Sequence, residues 1–202
     1  MLISTAELAR LLPDFDCVVI DCRHNLVNAA YGPDAYAREH ISGAYFADID
    51  EDLSGEVTGS NGRHPLPTPE AFATFLEKCG VTNSSRIVAY DDAHGQYAAR
   101  LWLMCRWIGL PGCAVLDGGI TKWKSEGFPV DAAVPDAGSG SVAIQLDENL
   151  LVDVSEVEAT RADNSRLVID ARAPDRYSGE TVIFDGVGGH IPGAVNRFYQ
   201  AN

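Results

Sequence analysis

Val18-Val19-Ile20-Asp21-Cys22-Arg23 returns later in the chain as Leu167-Val168-Ile169-Asp170-Ala171-Arg172, and His40-Ile41-Ser42-Gly43-Ala44 returns as His190-Ile191-Pro192-Gly193-Ala194. Val19 and Val168 lie 149 positions apart and His40 and His190 lie 150 apart, so the spacing holds to one residue. Ser4-Thr5-Ala6-Glu7 against Asp153-Val154-Ser155-Glu156 falls on the same 149-residue offset. Three collinear matches, at a period far longer than solenoid or propeller units, read as a duplicated domain. The chain has 202 residues, so the counterpart of anything after residue 53 of the first copy falls past Asn202. The second copy is therefore expected to be partial, the chain being truncated within it.

Hydrophobic residues make up 46% of the chain and charged residues 22%, a balance that can bury a core. No apolar run approaches the roughly 20 residues of a membrane span, and no basic-then-apolar leader opens the chain. A net charge of −14 argues against nucleic acid and anionic membrane as partners. Five cysteines, an odd number with no CxxC pair, suit a reducing, cytoplasmic setting. Cys17, Cys22, Cys79, Cys105 and Cys113 all sit in or beside apolar segments and read as packed side chains.

Ser4 and Glu7 form a capping-box pattern ahead of Leu8, Leu11 and Leu12, which predicts a short helix. Cys17 to Asp21 is a continuous apolar run ended by an acid, as in a strand buried on both faces. Arg23 to His64 reads as loop, with a weak helix near Ala35 to His40 and a short strand near Ala44 to Phe46. Thr68-Pro69-Glu70 starts a helix that carries Phe72, Phe75, Leu76 and Cys79 and stops at Gly80. Arg86 to Tyr90 is a second buried strand, Asp91 to Gln96 a loop, and Tyr97 to Trp107 a helix. Ala114 to Leu116 is a third strand, followed by the turn Asp117-Gly118-Gly119 and a helix with Trp123. This order predicts an α/β domain with a mainly parallel sheet covered by helices on both faces. Pro135 to Ser141, rich in glycine, is a candidate linker, giving a first domain over 1–134, a linker over 135–141 and a partial second domain over 142–202.

These words in this order resemble the tandem-domain rhodanese family of sulfurtransferases. The resemblance rests on Val19-Ile20-Asp21 with Arg23, His40-Ile41-x-Gly43-Ala44, Tyr90-Asp91-Asp92 running into Ala98-Ala99-Arg100, and Leu116-Asp117-Gly118-Gly119 with Trp123. In the second copy, Asp170-Ala171-Arg172, Arg176-Tyr177-Ser178-Gly179-Glu180 and Gly189 to Ala194 continue it. It implies two rhodanese-like domains, of which only the second is catalytic. There a cysteine in a loop between strand and helix takes a sulfane sulfur from thiosulfate or 3-mercaptopyruvate and passes it to cyanide or another thiophilic acceptor. Converging N–H groups and the positive helix end suit a thiolate and then a persulfide, and the covalent intermediate makes the transfer two-step.

The resemblance places the family's cysteine position of the first copy on Asp91. A carboxylate cannot hold a transferable sulfur, so this copy reads as silent, and the 150-residue offset carries the nucleophile to position 241, beyond Asn202. Arg176 matches a basic residue that helps bind the anionic donor. Mercaptopyruvate-type members carry a second arginine nine positions later, where Asp185 stands, which leans the donor towards thiosulfate. No cofactor is implied. Asp91, Asp92 and His94 could be offered as metal ligands, but three such residues within four positions rarely face one centre, and no metal is expected. His40 and His190, present in both copies, read as structural hydrogen-bonding groups, Asp21 and Asp170 as acids tying down a neighbouring loop, and Trp102, Trp107 and Trp123 as core.

A rhodanese-like phosphatase would need cysteine at position 91 and arginine six residues on, where Tyr97 stands. A non-catalytic binding or regulatory module, docking a basic partner on its acidic surface, is the other alternative. The apolar strand Leu167 to Ile169 lacks sheet neighbours in a partial copy. It is expected to be held by the first domain or another chain, or to be poorly ordered.

Overall fold

The apolar run Cys17 to Asp21 becomes β2, and its alternate side chains enter two separate layers of core. A computed structural model describes residues 2–14, 16–163, 166–182 and 186–201. The chain divides into a first unit, ending at Asp147, and a second that starts at Glu148.

The first unit runs β1 (Leu2–Ile3), α1 (Thr5–Leu11), β2 (Cys17–Asp21), α2 (Tyr31–Arg38), β3 (His40–Ile41), β4 (Tyr45–Phe46), α3 (Pro69–Lys78), β5 (Arg86–Tyr90), α4 (Ala98–Trp107), β6 (Cys113–Leu116), α5 (Gly119–Ser125) and β7 (Val130–Asp131). Five strands pair in parallel in the order β1-β6-β5-β2-β4, while β3 and β7 form a small antiparallel pair. Val18 and Ile20 of β2, with Ile87 and Ala89 of β5, pack against Phe72 and Leu76 of α3 and Leu101 and Met104 of α4. Val19, Val88 and Tyr90 face the other way, onto Leu8, Ile120 and Trp123. Helices thus cover both faces, and the central strands β2, β5 and β6 are largely apolar because both their faces are covered.

Local signals act as expected at the helix starts. Ser4 and Glu7 close the full capping box on α1, and Thr68 caps α3 with Pro69 in its first turn. The stretch expected to be a linker behaves differently. Gly138 N–H donates to Lys78 O (2.7 Å), Gly140 N–H to Glu77 O (2.9 Å) and Ser141 N–H to Val81 O (3.0 Å). Val142 and Ile144 then pack against the core. A Cβ on Gly138 would sit 2.3 Å from Gly80 N, and one on Gly140 2.1 Å from Val81 O. These glycines serve close backbone approach, so residues 138–147, which overlap the candidate linker, form a strap on the first unit.

The second unit contains α6 (Val154–Asp163), β8 (Ile169–Asp170), α7 (Pro174–Ser178), β9 (Val195–Asn196) and a 3₁₀ turn at Tyr199–Ala201. Several of its contacts repeat those of the first unit. Ile20 and Asp21 pair in parallel with Tyr45 and Phe46, and Ile169 and Asp170 pair likewise with Val195 and Asn196. Tyr36 stacks on His40 and Tyr177 on His190, both at an interplanar angle of 13°. Each tyrosine hydroxyl donates over 2.7 Å to a carbonyl, that of Ala44 or Ala194. What differs is the depth of core: among the described apolar residues of this unit only Ala194 is buried, and Leu167 and Ile169 are 68% and 55% exposed.

Candidate functional site

β5 delivers Asp91 to the start of the loop that leads into α4, where its carboxylate turns inward and is 2% exposed. Oδ1 accepts from Ala93 N–H (2.9 Å) and Gly95 N–H (2.8 Å), and Oδ2 from Tyr97 N–H (2.8 Å) and Ala98 N–H (2.9 Å). His94 (φ 59°) and Gly95 (φ 81°) both adopt the left-handed backbone within this loop. Successive N–H groups converging at a helix start make an anion cradle, and here a carboxylate of the chain itself fills it. The loop is clamped from behind. Asp91 O accepts from Ile120 N–H (3.1 Å), and a Cβ on Gly119 would lie 2.0 Å from that same oxygen.

Beside the cradle, over the carboxyl ends of β2 and β5, opens a cavity of about 530 Å³ lined by Arg23, Tyr31, Arg38, Glu39, Asp92 and Lys124, among others. Tyr31 donates to Asp92, a bond that raises its phenol, and Lys124 pairs with Glu39. The Arg23 guanidinium grips Asp21 (2.6 Å) at the floor, where Tyr90 Oη donates to the same carboxylate (2.8 Å). Burial alone would lower Arg23; the hydrogen bonds and charge of Asp21 outweigh it and raise it. The named lining holds cations and anions but no thiol to carry sulfur.

Asp91 has its oxygens occupied by amides, and Asp91, Asp92 and His94 do not gather their ligand atoms, so this trio is no metal centre among the described residues. The two recurrent histidines bind backbone. His40 Nδ1 donates to Tyr36 O and His190 Nδ1 to Tyr177 O, both over 2.8 Å. Asp170 holds Arg172 (2.6 Å) as Asp21 holds Arg23. Trp123 is fully buried and donates to Pro129 O, while Trp102 and Trp107 pack against the core's edge. Arg176 is half-buried on α7; Asp185 lies outside the described residues.

Cys22, Cys79, Cys105 and Cys113 are buried and Cys17 is half-buried. Burial pushes the Cys79 thiol from 9.0 up to about 12 and lifts Cys22 and Cys105 well above the usual thiol range. None of the three has thiolate character at neutral pH. A stability consequence follows. Above about pH 9 the unfolded chain releases these protons while the folded chain keeps them. Their contribution is complete below that pH and is lost as pH rises towards 12, at up to ~1.4 kcal/mol per pH unit for each thiol. Urea midpoints should fall steeply between about pH 9 and 11. A midpoint that stays level over that window would show the thiols to be solvated in the folded state.

Two features have roles that the sequence does not show. Arg100 donates to the carbonyls of Leu53 (2.7 Å), His64 (2.9 Å) and Pro65 (3.1 Å), pinning the long loop before α3 onto α4. That loop brings His24, Asp50 and His64 together, their ligand atoms all within 4.8 Å of one another. The three are far apart in sequence and match no ligand spacing, so only the fold reveals them.

A model of the rhodanese-like domain matches residues 4–126. A probable 3-mercaptopyruvate sulfurtransferase of Pseudomonas aeruginosa is 40% identical over 195 residues, covering 96% of this chain and 69% of its own length. A putative thiosulfate sulfurtransferase of Mycobacterium tuberculosis is 32% identical over 198 residues, covering 97% and 69%. Among solved structures, the 3-mercaptopyruvate sulfotransferase SseA from Escherichia coli superposes with a TM-score of 0.84 at 29% identity, over 96% of this chain and 73% of that one. Among the described residues no helix is long and apolar enough to cross a membrane.

Proposed function

The chain belongs to the rhodanese-like domain family, and on that premise we propose that it is the silent first domain and the beginning of the catalytic second domain of a tandem sulfurtransferase. The repeat divides it into residues 1–134, a connection over 135–141 and a partial copy over 142–202. The reaction moves a sulfane sulfur from a small anionic donor to cyanide or another thiophilic acceptor. A thiolate attacks the outer sulfur of thiosulfate, and sulfite leaves with the electron pair of the broken S–S bond. The acceptor then attacks the persulfide sulfur and the thiolate departs.

The observation that carries this reading is the amide cradle around Asp91. It has the form that would steady a persulfide, yet it is occupied by a group that cannot carry sulfur. We place the working cysteine in the equivalent loop of the second copy, near position 241 by the repeat offset, and Arg176 beside it as a donor-binding residue. Thiosulfate is the donor we favour, because Asp185 stands where mercaptopyruvate-type members carry arginine. The 40% identical relative bears the 3-mercaptopyruvate name, which supports that donor as the second reading. A silent binding module is the third, favoured by the filled cradle and the charge of −14.

Residues 1–202 should form no thiocyanate from thiosulfate and cyanide above the uncatalysed rate. Turnover by this polypeptide, with persulfide mapped to Cys17, Cys22, Cys79, Cys105 or Cys113, would overturn the assignment. Retained capture of a basic partner, abolished by reversing the acidic surface, would favour the module.

A further inference from the structure

His24 follows β2, is 7% exposed, and offers a ring nitrogen to a cluster with Asp50 and His64. Its ring stands edge-on to two neighbours, Tyr97 at 5.2 Å and His64 at 6.0 Å between centroids. Asp50 and His64 face it from the loop, with His64 Nε2 3.0 Å from Asp50 Oδ1.

We propose that His24, Asp50 and His64 bind one first-row divalent cation of the zinc type, with two imidazoles and one carboxylate as ligands and the remaining position left to water. Ligands about 2.0 Å from a tetrahedral centre stand roughly 3.3 Å apart. Asp50 and His64 are already at that separation, and the three ligand atoms need to close from at most 4.8 Å. Imidazole with carboxylate suits zinc and its neighbours, and disfavours calcium or magnesium, which prefer oxygen alone. The supporting contacts belong to a built site. Arg100 holds the carbonyl of His64 (2.9 Å), and Asp48 Oδ1 accepts from Asp50 N–H (2.8 Å), so two of the three ligands are fixed through their backbone. Burial lowers the His24 imidazole, with the Asp50 charge opposing and His64 adding to the effect. That keeps the ring in the neutral, ligating form. The site is distinct from the Asp91 cradle and uses none of its groups. A bound cation would tie the strand end to the loop before α3.

The test is metal titration of residues 1–202 stripped with chelator, following zinc by calorimetry and cobalt by its visible absorption. One equivalent should bind. The cobalt spectrum should show tetrahedral or five-coordinate d–d bands without the thiolate charge-transfer band that cysteine ligation gives. Asp50→Asn and His64→Gln should each weaken binding by about 10-fold or more. Asp50 is half exposed, so its variant keeps the fold, which the far-ultraviolet spectrum checks. His24→Gln should abolish binding. No zinc binding, binding unchanged in Asp50→Asn and His64→Gln, or a dominant thiolate band would each overturn the proposal.

Discussion

Asp21→Ala should lower the stability of the first unit by about 3–5 kcal/mol, the range for removing one partner of a buried ion pair. Asp21 is fully buried and Arg23 is 5% exposed. The carboxylate accepts from Arg23 N–H (2.9 Å), from its Nε and Nη2, and from Tyr90 Oη. Alanine would leave the guanidinium charge with the Glu39 carbonyl and the more distant Asp92 charge, and a buried phenol without its acceptor. All three tryptophans, Trp102, Trp107 and Trp123, lie in the first unit, so urea unfolding followed by their fluorescence reports this unit alone. Asp21→Ala with Arg23→Met should regain part of the loss, because the stranded charge goes too. A loss under about 1 kcal/mol for Asp21→Ala would mean that water reaches the pair in the folded state.

The second large effect is expected at Asp91. Asp91→Ala should cost about 3 kcal/mol or more, because four inward N–H groups lose a charged acceptor at once and their contributions act as one network. Asp91→Cys is the more informative replacement. The same four donors would favour a thiolate, so the new cysteine should titrate below the usual thiol range, read by its ultraviolet thiolate absorbance against the wild-type chain. A new thiolate signal that rises only above the usual thiol range would show that the cradle does not stabilise sulfur anions, and would weaken the proposed placement of the persulfide.

Elements written in consecutive residues were legible in the sequence. The runs Val18 to Asp21 and Arg86 to Tyr90 gave adjacent parallel strands, and Ser4, Thr68 and Pro69 gave helix starts. These signals are local: a cap, a fixed proline φ, an apolar run that neither face can expose. β1 escaped notice because it is two residues long and exists by pairing with distant β6. The glycines near 138 and 140 marked a candidate linker, and what they provide is absence of bulk; composition cannot tell these apart. At the site, residue identity showed that Asp91 could carry no sulfur, but not that amides from residues 93 to 98 would enclose it. The grouping of His24, Asp50 and His64 was illegible for the same reason, since a strand end and both limbs of a loop meet only once Arg100 has pinned that loop.

The strap over 138–147 bears on where one copy of the repeat ends. A chain severed at residue 134 would take the strap amides from the carbonyls of Lys78 and Val81, leave Glu77 O with Gly80 N–H alone of its two loop donors, and strip Val142 and Ile144 from the apolar interior. The first unit is thus hemmed by its own strap, and a self-sufficient excised module must carry that stitching as far as Asp147.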